Sequence, residues 1–205
     1  MINRELYMEQ ITPFIDKPFV KVITGIRRCG KSVVLRLIRE ELLRRGVSED
    51  YIIYMNFESF EWIDMKEAKA LYAHIREATK APGKYYILLD EIQEVTDWEK
   101  AVNAFLVDLD VDIYVTGSNS RLLSSEFSTY LAGRYVAFHI MTLSFREYLL
   151  FHDLPLTISV SDRKTEFLKY LRMGGFPAIH TANYDYNAIY KIVSVSYTHL
   201  RAHET

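Results

Sequence analysis

Cysteine is nearly absent from this chain. Of 205 residues only Cys29 carries a thiol. No internal disulfide can form, and a Cys-rich metal site is excluded with it. Long apolar runs are also missing, since no stretch approaches the ~18 residues that a spanning helix needs. The start, Met1-Ile2-Asn3-Arg4-Glu5, places charge where a secretory signal needs an apolar run. Neither sign of charge is in excess: Lys plus Arg is 25 and Asp plus Glu is 27, a formal net charge of −2. The chain as a whole is therefore not tuned for nucleic acid or an acidic membrane, although a local basic patch is compatible with that balance. The six histidines show no metal-ligand spacing, and there is no internal repeat or low-complexity tract. With 49% apolar and 25% charged residues the composition is globular rather than disordered. The expectation is a soluble, cytoplasmic protein of one domain, or of one domain and a fragment of a second.

What is present is an alternation of helix and strand signals, which points to a mostly parallel sheet with helices on both faces. Residues 2–15 read as a helix, limited by Pro18. Five apolar, β-branched or aromatic runs read as strands: 19–24, 51–56, 85–90, 112–116 and 135–140. Helices are predicted over 31–45, 64–80 and 97–108, the last with Asp97 as N-cap, and two short ones over about 120–132. Beyond about residue 142 only helices are expected. Ser144-Phe145-Arg146-Glu147 has the form of a capping box, and the helix over 160–173 ends at Gly174-Gly175-Phe176-Pro177. The domain reading is a core over 1–142 and an incomplete helical subdomain over 143–193. Residues 194–205 lack any period and have the look of a non-native tail.

The sharpest motif is Gly25-Ile26-Arg27-Arg28-Cys29-Gly30-Lys31-Ser32, which fits G-x-x-x-x-G-K-[ST] and lies between a predicted strand and a predicted helix. The spacing has a physical basis. Gly25 permits a sharp turn off the strand, and Gly30 lets the backbone approach a phosphate without a Cβ. Successive N–H groups and the helix N-terminus then face the anion. Lys31 reaches the β- and γ-phosphates, and the Ser32 hydroxyl suits Mg²⁺. The nucleotide-binding set is read as residues Gly25 to Ser32 together with Val33. Cys29 reads as a small loop residue rather than a redox group. Arg27 and Arg28 either touch nucleotide or face solvent.

The run Tyr85-Tyr86-Ile87-Leu88-Leu89 ends in Asp90-Glu91, placing two acids at the carboxyl edge of the sheet, where open α/β folds bind ligands. Asp90 would hold Mg²⁺ through a water, and Glu91 would orient or deprotonate the attacking water. A GTPase would want Asn-Lys-x-Asp, which the sequence lacks. A small-molecule kinase uses the same loop without a glutamate beside the metal aspartate. After the fourth strand, Thr116-Gly117-Ser118-Asn119-Ser120-Arg121 offers a polar γ-phosphate sensor, with Asn119 the first choice and Ser118 the second. Arg134, before the fifth strand, reads either as an arginine finger for a neighbour's site or as a helix C-terminal arginine satisfying the dipole, with Arg121 an alternative finger. Tyr184, Tyr186 and Tyr190, like Trp62 and Trp98, read as packing residues.

Taken together these elements resemble the AAA+ ATPases. The segments Gly-Ile-Arg-Arg-Cys-Gly-Lys-Ser, Leu-Asp-Glu-Ile-Gln, Thr-Gly-Ser-Asn-Ser, Leu-Ser-Phe-Arg-Glu-Tyr and Gly-Gly-Phe-Pro are similar to those of a prokaryotic family of AAA-type ATP-binding proteins that carry a C-terminal domain of unknown function. The likeness covers about residues 1–192. It implies an α/β P-loop NTPase fold with strand order 5-1-4-3-2, Mg-ATP as ligand, and a C-terminal domain that this chain lacks. The leading functional expectation is Mg-dependent ATP hydrolysis driving that domain, with catalytic roles for Lys31, Glu91, Asn119 and Arg134 and metal roles for Ser32 and Asp90. The rival is an ATP-dependent binding switch for a nucleic acid or protein partner with little hydrolysis. A homo-oligomer and a DNA or protein partner are compatible with both.

Overall fold

The computed structural model of the protein describes residues 4–118, 122 and 131–181. The chain divides into two units, one ending at Ile140 and the other taking up the chain at Met141. Most of the span of the expected helices over 120–132, Asn119, Arg121, the three tyrosines from Tyr184 to Tyr190 and the tail over 194–205 lie outside the described residues. Among the described residues no helix is long and apolar enough to cross a membrane.

The first unit is built on five strands, β1 Val20–Gly25, β2 Ile52–Asn56, β3 Tyr85–Asp90, β4 Val111–Gly117 and β5 Tyr135–Ile140. Every pairing is parallel and the order is β2-β3-β4-β1-β5, which from the other edge is the expected 5-1-4-3-2. The helices are α1 Glu5–Ile11, α2 Lys31–Arg44, α3 Ala68–Ala78 and α4 Trp98–Asp108.

The inner strands β1, β3 and β4 are buried on both faces because both are covered, whereas the edge strand β5 leaves Ala137 and His139 exposed. Alternation along β3 shows how. Tyr86 and Leu88 join Val34, Leu35 and Ile38 of α2 and Tyr7 and Ile11 of α1 in one core cluster. Ile87 and Leu89 join Leu71 and Ile75 of α3 and Val102 and Phe105 of α4 in the other. Leu88 and Leu89 are both wholly buried, each worth ~1.5–3 kcal/mol relative to exposure. Trp98 lies in the second cluster and Trp62 packs against it, in keeping with packing roles.

Three local expectations need correction. Residues 2–15 do not make one helix: α1 ends at Ile11 and a 3₁₀ turn, Thr12–Phe14, follows, because Pro13 cannot donate into a continuing α ladder. The helix expected over 64–80 is a 3₁₀ segment, Phe60–Met65, then α3. Asp97 does precede α4, but its backbone is left-handed (φ +56°) and its side chain makes no cap. Its carboxylate pairs instead with Lys100 at 3.0 Å.

The second unit contains α5 Phe145–Phe151, α6 Val160–Met173 and α7 Pro177–Thr181. Ser144 and Glu147 form the capping box, and Ser159 caps α6 by accepting from the Asp162 N–H. The Tyr170 hydroxyl donates to the Leu143 carbonyl at 2.8 Å. Gly175 touches the same segment closely enough that a Cβ there would lie 2.3 Å from that carbonyl oxygen.

Candidate functional site

The parallel order puts the carboxyl ends of β1, β4 and β3 side by side, with β4 in the middle. The loop from Gly25 to Gly30 leaves β1 and enters α2. At Gly25 a Cβ would lie 2.4 Å from the Ile140 carbonyl oxygen, so no other residue turns there without displacing β5. Gly30 is the N-cap of α2 in a left-handed conformation (φ +108°), and Arg28 is left-handed as well. Ile26, Arg27 and Arg28 are exposed, Cys29 and Lys31 are buried, and Ser32 and Val33 are half-buried. Burial pushes the Cys29 thiol above its ordinary range, so it stays a thiol at neutral pH. Arg27 makes a loose pair with Glu58 at 3.6 Å, while Arg28 has no side-chain partner among the described residues.

Lys31 and the acids at the end of β3 meet. The Lys31 ammonium lies 3.3 Å from a Glu91 carboxylate oxygen and 3.5 Å from the Ile26 carbonyl. Glu91 holds a left-handed backbone (φ +54°), and the Gln93 amide donates to its other carboxylate oxygen. Asp90, fully buried, accepts from the Tyr54 hydroxyl at 3.0 Å and from the Thr116 hydroxyl. Burial raises the Tyr54 phenol above its ordinary value, aided by the adjacent Asp90 charge, so the phenol remains a donor. The Thr116 oxygen accepts the Glu91 N–H at 2.9 Å. One β4 hydroxyl thus serves both acids.

The donor set fits a hard divalent cation. Asp90 makes no ion pair among the described residues, and its two hydroxyl donors leave the negative charge uncompensated. A carboxylate and the Ser32 hydroxyl are oxygen ligands of the kind Mg²⁺ prefers. Among the described residues no group of three or more His, Cys, Asp or Glu could hold a metal. An ion here would complete its shell from water and phosphate, as Mg²⁺ commonly does.

Arg134 is not brought to this cluster. It precedes β5, whose first residues pair with the start of β1, so it stands on the opposite rim. About 16 Å of strand, at ~3.3 Å per residue, separates the rims. Its guanidinium donates to the Asn103 side chain on α4 at 3.1 Å. Within one chain it cannot reach the loop. Ser118, at the end of β4, is half-buried.

Tyr54, Thr116 and Gln93 were not anticipated as site residues. The sequence held a faint signal for two of them: Thr116 immediately precedes the Gly-Ser-Asn turn, and Gln93 lies two residues beyond the acid pair. At Gly117 a Cβ would come within 2.0 Å of the Gln93 amide oxygen and 2.7 Å of Leu122, so a larger residue there would push both side chains aside.

Residues 17–149 match the model of a family described as "AAA domain". The chain is 43% identical over 186 residues to an uncharacterized protein of Haemophilus influenzae, covering 89% of this chain and 46% of that protein. It is 35% identical over 184 residues to the uncharacterized protein MJ1544 of Methanocaldococcus jannaschii, covering 87% and 39% respectively. It therefore spans less than half the length of either relative. Among solved structures it is similar to AMPPCP-bound DnaA from Aquifex aeolicus, with a TM-score of 0.56 at 16% identity over 88% of this chain and 60% of that one. It is also similar to Thermotoga maritima RuvB, with a TM-score of 0.55 at 13% identity over 87% and 59%. Both likenesses are of fold.

Proposed function

The chain belongs to the AAA-domain family of P-loop ATPases, and on that premise we propose that it binds Mg-ATP and hydrolyses the β–γ bond, ATP and water giving ADP and phosphate. The observation that carries this reading is the 3.3 Å approach of Lys31 to Glu91, which joins the phosphate loop to the end of β3 across β4. In the resting chain the two charges neutralise each other. A triphosphate in the loop draws the Lys31 ammonium to its β- and γ-oxygens and releases the Glu91 carboxylate. The freed carboxylate orients the attacking water and takes its proton. Ser32 and Asp90 would hold Mg²⁺, which when bound neutralises charge on the β- and γ-phosphates. Backbone N–H groups of the loop and the start of α2 cradle the phosphates, with Gly25 to Val33 as the binding segment.

Asn119, which follows β4, is proposed as the γ-phosphate sensor. Arg134 is proposed to act only in trans, in the site of a second copy of the chain. The solved DnaA neighbour was obtained with AMPPCP bound, which supports a nucleoside triphosphate ligand. Because the relatives are more than twice as long as the matched region, the energy is proposed to drive an additional C-terminal domain that engages DNA or protein. The core over 1–142, the partial helical subdomain over 143–193 and a cytoplasmic setting complete the proposal.

Glu91→Gln is the test. It should retain ATP binding and hydrolyse at least about tenfold more slowly; normal turnover in that variant would remove Glu91 from the role of base. The hold of Lys31 and Gln93 on Glu91 favours a second reading, a binding switch with slow hydrolysis. Phosphate release by the full-length protein, with and without DNA, separates the two readings.

A further inference from the structure

Arg4 has no part in the chemistry above, yet it is 3% exposed and lies against the back of the phosphate loop. Its guanidinium Nη1 donates to the Cys29 carbonyl at 3.0 Å, and the same group sits 4.7 Å from the centroid of the Tyr7 ring. A Cβ on Gly30 would come within 3.2 Å of that nitrogen. A guanidinium is costly to bury, and its retention beneath a loop of glycines and exposed side chains calls for a role.

Peptide geometry supplies one. In a trans peptide the C=O and the following N–H point in opposite directions. No cis peptide occurs among the described residues. A Cys29 carbonyl drawn onto Arg4 behind the loop therefore aims the Gly30 N–H away from Arg4. That N–H has no protein acceptor among the described residues, whereas the Gly30 carbonyl is fully used by the Val33 and Val34 N–H groups. Without Arg4 the 29–30 peptide could flip, offering a carbonyl oxygen where an anion needs a donor.

We propose that Arg4 is a positioning residue for nucleotide binding. By holding the Cys29 carbonyl it fixes the Gly30 N–H toward the phosphates and ties α1 to the state of the loop. The inference rests on the reading of this loop as a triphosphate site, but the clamp itself can be tested without nucleotide. Cys29 is the only cysteine and is wholly buried, so its rate of reaction with an aromatic disulfide reagent reports opening of the loop.

The experiment compares wild type, Arg4→Gln and Arg4→Lys, each checked by circular dichroism, for two quantities. One is the affinity for a fluorescent ATP analogue; the other is the Cys29 labelling rate without nucleotide. Arg4→Gln should lose at least about fivefold in affinity, the net scale of one protein hydrogen bond, and label at least about fivefold faster. Arg4→Lys should fall between the two, and any loss in steady-state ATP hydrolysis should appear in KM rather than kcat. Wild-type labelling rates in both variants overturn the proposal, whatever happens to affinity. So does a lysine variant no better than the glutamine one. If Arg4→Gln fails to fold, Arg4→Lys carries both measurements. A wild-type protein that binds no ATP analogue defeats the ATPase reading, while the labelling rates still decide whether Arg4 holds the loop.

Discussion

Two lysine–carboxylate pairs stand at opposite rims of the same sheet, and they are built for different ends. At the amino rim the Lys21 ammonium, on β1, donates to Asp112 on β4 and to the Lys17 carbonyl at 2.8 Å. Asp112 also accepts from the Tyr114 hydroxyl at 2.8 Å and from the Asp16 N–H at 2.9 Å. Both side chains are sealed, at 0% and 1% exposure. Burial pulls the Lys21 amine below its ordinary value, and the Asp112 charge opposes that pull. At the carboxyl rim Lys31 and Glu91 are 3.3 Å apart, with 3% and 15% exposure. The first pair is sealed from solvent and held on both sides by protein, through the Lys17 carbonyl, the Tyr114 hydroxyl and the Asp16 N–H. The second is longer, is partly exposed at Glu91, and meets a loop whose Gly30 N–H has no acceptor among the described residues. Burial and partner count, rather than the presence of opposite charges, separate a pair that holds the fold from one that can exchange partners.

Removing the sealed carboxylate should give the largest change. Asp112→Ala leaves a buried ammonium uncompensated, a loss of ~3–5 kcal/mol, seen as a melting temperature lower by about 6–20 °C. Nucleotide affinity of the molecules that remain folded should be unaltered. Lys31→Ala should invert that pattern. A fluorescent ATP analogue should bind on the order of 100-fold more weakly (~2.7 kcal/mol), with the nucleotide-free melting point moved by no more than about 2 °C. If Lys31→Ala melts as low as Asp112→Ala, the contrast between the rims is false.

A smaller effect is expected where the two properties mix. Gly117→Ala forces Gln93 and Leu122 aside, at a cost of ~1–3 kcal/mol in denaturant unfolding. It should also slow phosphate release by displacing the amide that holds Glu91.

The smallest change belongs to pH. Burial raises the Asp16 carboxyl, but the Tyr86 hydrogen bond and the neighbouring Lys84 outweigh it, and the net effect is a lowered value. A carboxyl that is more acidic in the folded chain stabilises it fully above the unfolded value, about 3.9, and loses that contribution as the pH falls through the folded one. Half exposed as Asp16 is, solvent screening limits this to a few tenths of a kcal/mol. The stability difference between wild type and Asp16→Asn should shrink on acidification below about pH 4. A difference that grew on acidification would reverse the sign of this contribution.

Much of the carboxyl rim could be read without coordinates. The phosphate loop depends on backbone that only glycine supplies at 25 and 30, and the acid pair ends an unbroken apolar strand, so residue type and spacing carry the message. The parallel character of the sheet was legible in the alternation of helix and strand signals, whereas the strand order came from the resemblance to the AAA+ ATPases. Tyr54 and Thr116 were not legible, since each acts through a contact between strands far apart in sequence, and nothing in a tyrosine or threonine within a strand announces a polar partner; Gln93 is local to Glu91, but no motif marks it. Arg4 escaped for a related reason: twenty-five residues separate it from the carbonyl it holds. The amino-rim network was equally silent, as Lys21 and Asp112 lie in strands whose apolar neighbours dominate the pattern. Asp97 misled because the type of residue was right for a cap while its backbone angles were not.

The shared Thr116 oxygen has one more implication. A single hydroxyl links Asp90, the proposed cation ligand, with the backbone N–H of Glu91, the proposed base. A substitution at Thr116 therefore touches both acids at once. Swapping that threonine for valine would remove both contacts at a stroke.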